Sequence, residues 1–158
     1  MRGNDKVIAY LNEALKAELT AISQYFLHAE MCDNWGYKKL GDYAKKESID
    51  EMKHAEALIE RILLLEGAPF MNELFPLKIG QSVKEQLEND LALEFAAVAR
   101  LNSAIKTAVE AGDNGSRDLF EKILIDEEHH IDWLEAQLHV VQEIGIDNYL
   151  AQQIHEKD

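Results

Sequence analysis

The 158-residue sequence predicts an all-α fold, an antiparallel four-helix bundle with one long crossover and a short fifth C-terminal helix. Three observations carry the prediction. Only 2 Pro and 8 Gly interrupt a chain that is 47% hydrophobic, so long helices can form without breaks. Apolar residues recur at helical spacing in four long segments. The stripe of the second pair of segments repeats that of the first, 76 positions later, as in Glu51 and Glu127 or His54 and His130.

Asn4 or Asp5 can cap a first helix over about 5–34, ended by Trp35-Gly36. A second helix spans about 38–66, stopped by Gly67 with Pro69 following. The short link between them makes an antiparallel hairpin. From Gly67 to Gln81, Pro69, Pro76 and Gly80 replace any helical period, which suits a crossover running the length of the bundle. Ser82-x-x-Glu85 is a capping box opening a third helix over about 82–111. Gly112-Asp113-Asn114-Gly115 is a turn, and Ser116 is the expected cap of a fourth helix, 116–144. Asp147 opens a fifth segment, 147–154, too short to be stable alone. It needs a surface to pack on, and a partner subunit is the surface expected. The whole chain, 1–158, reads as a single domain.

The repeat extends to chemistry. Leu11, Leu15, Ile22, Tyr25 and Ala29 correspond to Leu87, Leu91, Val98, Leu101 and Ile105. Ala44, Leu58, Ile62 and Leu65 correspond to Phe120, Leu134, Leu138 and Val141. Each half breaks its apolar stripe with one Glu (Glu18, Glu94) and one Glu-x-x-His (Glu51-x-x-His54, Glu127-x-x-His130). Residues three apart share a helix face, so the Glu and His of each motif can reach one metal ion. Singly, each motif is what an acidic helix produces by chance. Four carboxylates on buried stripes would be self-defeating without compensating positive charge, and two divalent cations supply it. The inventory resembles that of ferritin-like di-metal carboxylate bundles.

A net charge of −14 argues against nucleic acid and anionic membrane surfaces as partners. The single Cys32 leaves no internal disulfide and fits a reducing compartment. No apolar run follows Met1-Arg2-Gly3, so no signal peptide is expected, and no stretch is long and apolar enough to span a membrane. The expected location is the cytoplasm. Leu19, Phe26, Ile49, Met52 and Ile59 point away from the metal stripe, and an apolar outer face of this kind predicts a two-fold dimer.

Several runs resemble bacterioferritin: Gln24-Tyr25-Phe26-Leu27-His28-Ala29 with Asn34-Trp35-Gly36, then Glu47 to Ala55 and Arg61 to Gly67. Asp126-Glu127-Glu128-x-His130-Ile131-Asp132-Trp133-Leu134-Glu135 and Asn148-Tyr149-Leu150 extend the match over essentially the whole chain. The resemblance implies a ferritin-like subunit, 24 of which close a hollow iron-storing cage, with two iron ions per subunit. Glu18 and His54 would bind one iron, Glu94 and His130 the other, and Glu51 and Glu127 would bridge them. Carboxylate oxygens with one imidazole per metal suit iron or manganese, and six ligands for two ions leave positions open for O₂ or peroxide. Met52 would bind haem b between two subunits, one sulfur from each, in a pocket lined by Leu19, Ile22, Ser23, Phe26 and Ile49. Tyr25 is expected either to hydrogen-bond a ligand carboxylate or to act as a plain core residue.

Three positions depart from the family pattern. Lys46 stands where His is usual and removes a ligand from an inner-surface iron site with Glu47 and Asp50. Lys45 replaces a Tyr near the haem, and Ser23 an Asn. His28, His129, His139 and His155 read as ordinary polar residues, and Trp35 and Trp133 as packing residues.

The function expected is iron storage and detoxification, with ferroxidase chemistry driven by O₂ or H₂O₂. A redox protein would supply electrons for iron release, and a cage mixed with a paralogous subunit is as compatible as a homopolymer. The alternative is a non-storage di-iron or di-manganese peroxidase or oxygenase, its substrate pocket lidded by the stretch from Phe70-Met71 to Phe75.

Overall fold

The computed structural model describes residues 1–155. Helices α1 (Asp5–Trp35), α2 (Lys38–Leu64), α3 (Val83–Glu110), α4 (Asn114–Ile144) and α5 (Ile146–Ala151) follow in order. Gln24 reaches Asp90 while Cys32 reaches Gln86, so α1 runs against α3. His54 meets Asp126 while Arg61 meets Asp113, so α2 runs against α4. The bundle is antiparallel, with two main apolar clusters at its ends and a small third one of Ala21, Tyr25, Ala29 and Ala44. Leu11, Leu15, Leu58, Ile62, Leu101 and Phe120 fill one end, and Leu40, Leu87, Leu134, Val141 and Tyr149 the other. The ionisable layer lies between them. No helix among the described residues is long and apolar enough to cross a membrane.

Asn4 caps α1 by accepting from the Lys6 and Val7 N–H groups. Gly36, at φ 90°, ends it in the left-handed conformation, with Tyr37 N–H closing onto Cys32 C=O. The end of α2 differs from the sequence expectation. Its left-handed residue is Glu66 (φ 62°), not Gly67, while a Cβ at Gly67 would sit 2.9 Å from Ile8 Cγ2. Glycine is thus required at 67 for close packing and is missing at 66, where a side chain costs about 1–2 kcal/mol. Glu66→Gly is expected to stabilise the fold by about 0.5–1 kcal/mol after glycine's entropic penalty. A thermal midpoint unchanged or lowered would refute this.

The cap of α4 is likewise Asp113, which accepts from Ser116 N–H, and not Ser116. Ser116 lies buried inside the first turn, donating to Asp113 and accepting from Arg61 Nε. Helix α5 packs on its own chain. Tyr149 is buried in the second core cluster and donates to Gln137, and Gln153 C=O accepts from Lys39 N–H in the first turn of α2. Leu19 and Ile59 also depart from expectation: both pack partly against the core, leaving Phe26, Ile49 and Met52 exposed on the outer face. Trp35 is exposed, whereas Trp133 stacks on Tyr43.

Crossover residues 65–82 are held to α1 by a ladder of polar side chains four or eight residues apart. Asn12 bonds Ala68 C=O and Phe70 N–H, Thr20 accepts from Phe75 N–H, and Gln24 accepts from Lys78 N–H. His28 Nε2 accepts from Gly80 N–H, so its proton sits on Nδ1, which faces Asp90 Oδ1 at 2.9 Å. His28 is therefore a buried structural link between the crossover, α1 and α3, not an ordinary polar residue.

Candidate metal centre

The six residues singled out by the repeat converge in the middle layer. Each of the four long helices supplies its share: Glu18 from α1, Glu51 and His54 from α2, Glu94 from α3, Glu127 and His130 from α4. They form two overlapping groups, Glu18–Glu51–His54–Glu127 and Glu51–Glu94–Glu127–His130. Within each, one ligand atom per residue lies within 4.8 Å of the others. Glu51 and Glu127 belong to both. Glu94 is fully buried, and Glu51 and Glu127 are each 1% exposed.

His54 Nδ1 lies 3.2 Å from Glu127 Oε1, 3.6 Å from Glu18 Oε1 and 3.7 Å from Glu51 Oε1. His130 Nδ1 lies 3.4 Å from Glu51 Oε1, 3.5 Å from Glu94 Oε1 and 3.6 Å from Glu127 Oε2. None of these contacts is aligned as a hydrogen bond. Glu18 Oε2, Glu51 Oε1, Glu94 Oε2, both Glu127 oxygens and both Nδ1 atoms are buried without a donor or acceptor. Such orphaned atoms are expensive in a dry core. Donors bound about 2.1 Å from one divalent ion lie roughly 3.0–3.5 Å apart, a range that holds three of these contacts and that the other three exceed by 0.1–0.2 Å. Glu51 offers one oxygen to both imidazoles, and Glu127 a different oxygen to each. The residues fit a pair of ions with two bridging carboxylates.

Supporting contacts were not foreseen from sequence. His54 Nε2 contacts Asp126 Oδ2 at 2.8 Å, and His130 Nε2 contacts Glu47 Oε2. Each carboxylate turns its ring so that Nδ1 faces inward, as second contacts to metal-binding histidines do. The signal available was position: Asp126 directly precedes Glu127, and Glu47 sits one turn before Glu51. Glu47, which the resemblance assigned to an inner-surface site, is buried against His130. Tyr25 Oη donates to Glu94 Oε1 at 2.7 Å, the first of its two expected roles.

The protons follow from the packing. Burial raises the pKa of Glu18, and burial with neighbouring carboxylates raises Glu51 and Glu94 well above the usual range. Burial pushes Glu127 the same way, but the close approach of Glu94 and of the His130 and His54 imidazoles outweighs it and holds its carboxyl well below the usual range. Burial lowers both imidazoles, yet Glu127 and Glu18 carry His54 up to about 11, and Glu127, Glu47 and Glu94 carry His130 up to about 12.

Two clefts flank the centre. One of about 490 Å³ opens between α2 and α4, lined by Lys46, Glu47, Asp50, Lys53 and Asp126 beside His54 and His130. The other, about 250 Å³, lies between α1 and α3 under Phe75, and reaches Glu18, Glu51 and Glu127. Met52 of α2 is 45% exposed, and the apolar Ile49, one turn earlier on α2, and Phe26 on α1 are exposed too. A soft thioether on an exposed apolar face fits a haem ligand.

Fold and centre define a class: a ferritin-like four-helix bundle with a buried cluster of four carboxylates and two imidazoles that could hold metal ions. The family model described as "Ferritin-like domain" matches residues 8–144. Among curated proteins, the chain is 50% identical over 152 residues to a bacterioferritin of Mycolicibacterium paratuberculosis, covering 96% of each. It is 49% identical over 151 residues to one of Streptomyces coelicolor, covering 96% of this chain and 90% of that one. A Brucella melitensis bacterioferritin is 46% identical over 149 residues, covering 94% and 92%. The chain belongs to the bacterioferritin family.

Proposed function

We propose that the protein stores and detoxifies iron, as a cytoplasmic ferroxidase whose subunits, each one ferritin-like domain, close a 24-subunit cage from two-fold dimers. The observation that carries this reading is the pair of overlapping ligand groups with orphaned donor atoms, spaced for two ions sharing Glu51 and Glu127. Glu18 and His54 bind one ferrous ion, and Glu94 and His130 the other. Two ferrous ions give one electron each to dioxygen, which takes two protons and leaves as hydrogen peroxide; with peroxide as oxidant, two protons and two electrons yield two waters.

The chain's own residues do four things. Glu127 supplies the permanent anion that attracts the cations. Asp126 and Glu47 fix the imidazoles with Nδ1 inward, and Tyr25 orients Glu94. The apolar ends of the core close the middle layer along the bundle axis and leave the two lateral clefts as its openings. Met52, with its copy across a dimer axis, would hold haem b, a group that supplies one-electron transfer for releasing stored iron to a reductase partner.

The alternative, a non-storage oxygenase or peroxidase, needs a pocket for its substrate. Phe75 does roof the α1–α3 cleft, but Phe70 and Met71 are exposed outside it. Its 250 Å³ falls below the roughly 300–1,000 Å³ of organic-ligand pockets, while the 490 Å³ α2–α4 cleft is not lined by any residue of that stretch. Stopped-flow Fe²⁺ oxidation on size-fractionated metal-free protein separates the two. Storage predicts a cage-sized species with a fast phase saturating at two irons per subunit, then slow mineral growth. A small species that oxidises iron and accumulates none would sink it.

A further inference from the structure

The two clefts reach the same carboxylates from opposite sides, and their linings differ in kind. The α2–α4 cleft carries Glu47, Asp50 and Asp126 against Lys46 and Lys53. The α1–α3 cleft is walled by five alanines, Ala17, Ala21, Ala92, Ala96 and Ala97. Apart from the centre's own glutamates, its only charged lining residues are Lys78 and Arg100. Neither forms an ion pair with a carboxylate among the described residues. Arg100 Cζ stands 3.9 Å from the centre of the Phe75 ring, and Lys16 Nζ stands 4.4 Å from it. Glu73 offsets Lys16 at 3.7 Å, which leaves Lys78 and Arg100 to set the sign of the rim.

Close-packed cores fill such space with larger side chains; here the space is kept, and it ends on Glu18, whose Oε2 is buried without a partner. The roof is pinned, because Phe75 N–H and Lys78 N–H donate to Thr20 and Gln24 of α1. A fixed, mostly apolar cleft with a positive rim repels a divalent cation and admits a small neutral molecule. We propose that the α1–α3 cleft is the entry for dioxygen, separate from the cation entry between α2 and α4. This inference rests on the ferroxidase reading and adds to it a division of labour between two faces of the bundle.

Xenon, an apolar probe of dioxygen-sized sites, tests the cleft without any chemistry. Crystals of the full-length, metal-free protein under xenon pressure are expected to show the gas between Ala96 and Phe75. Ala96→Leu and, nearer the rim, Ala92→Leu are each expected to remove it. Both variants should still bind two Co²⁺ per subunit. Each should slow dioxygen-driven iron oxidation about fivefold or more, with peroxide-driven oxidation within about twofold of wild type. An empty cleft under xenon, a dioxygen rate unchanged in both variants, or equal slowing with both oxidants at intact Co²⁺ loading would overturn the proposal. A wild-type protein that neither loads Co²⁺ nor oxidises Fe²⁺ would instead overturn the ferroxidase reading beneath it.

Discussion

Glu127→Gln is expected to abolish the fast phase of iron oxidation, slowing it by about 100-fold or more. The size of the effect follows from Glu127's place between the halves. It presents Oε1 to His54 and Oε2 to His130, and it is the carboxylate that packing keeps anionic. Glutamine keeps the volume but offers one neutral oxygen and an amide that cannot bind a cation. Co²⁺ titration should show the paired stoichiometry reduced to one weak ion or none. Circular dichroism should show helix content retained, since the apolar ends of the core are untouched. Wild-type kinetics in this variant would remove Glu127 from the bridge and with it the two-ion geometry.

Loading the centre is expected to release close to four protons per subunit. Pairing raises His54 to about 11 and His130 to about 12, and burial beside other carboxylates raises Glu51 and Glu94, so each of these four groups favours its protonated form and gives up a proton to a divalent ion. Four protons balance the site in place of the four charges of two divalent ions. Because each bound proton must leave, affinity rises with pH. Displacing all four would change the two-ion constant by about 10⁴ per pH unit. Calorimetry of Co²⁺ binding in buffers of different ionisation enthalpy counts the protons, and fewer than two would contradict the assignment.

The metal-free fold should respond to pH in the opposite sense. Both histidines have folded pKa values above their ordinary 6.5, so their pairing stabilises the fold fully below about pH 6.5. That contribution fades as pH climbs towards 11. Glu51 and Glu94, also raised, act in the same direction from about pH 4.5 upward. Glu127, lowered, contributes above its ordinary 4.5 and loses that contribution in acid.

What was legible in the sequence is what periodicity encodes. Glu18, Glu51, His54, Glu94, Glu127 and His130 stood out because a helix converts spacing into facing, and a constant offset of 76 converts one hairpin into its counterpart. Contacts between distant backbone and side chains left no such trace. His28 looked ordinary because its partners are Gly80 N–H and Asp90, both more than 50 positions away. The ends of α2 and α4 were misplaced because glycine at 67 and serine at 116 suit the local rules, whereas Glu66 and Asp113 carry the actual turn and cap. The segment 147–154 read as too short to stand alone, and nothing local announced that Lys39 N–H awaited the Gln153 carbonyl of the same chain.

The supports of the two imidazoles break the pattern that their ligands keep. The counterpart of Asp126, 76 positions earlier, is Asp50, but Asp50 lies beside Lys53 and His130 is held by buried Glu47. The counterpart of Glu47 is Ile123, packed in the apolar core. One imidazole thus leans on a carboxylate more than half open to water, and the other on one almost wholly enclosed. Two ions entering this frame would find themselves unequal neighbours from the outset. The centre has a polarity, a wetter half and a drier half, imposed by the protein before any reaction begins.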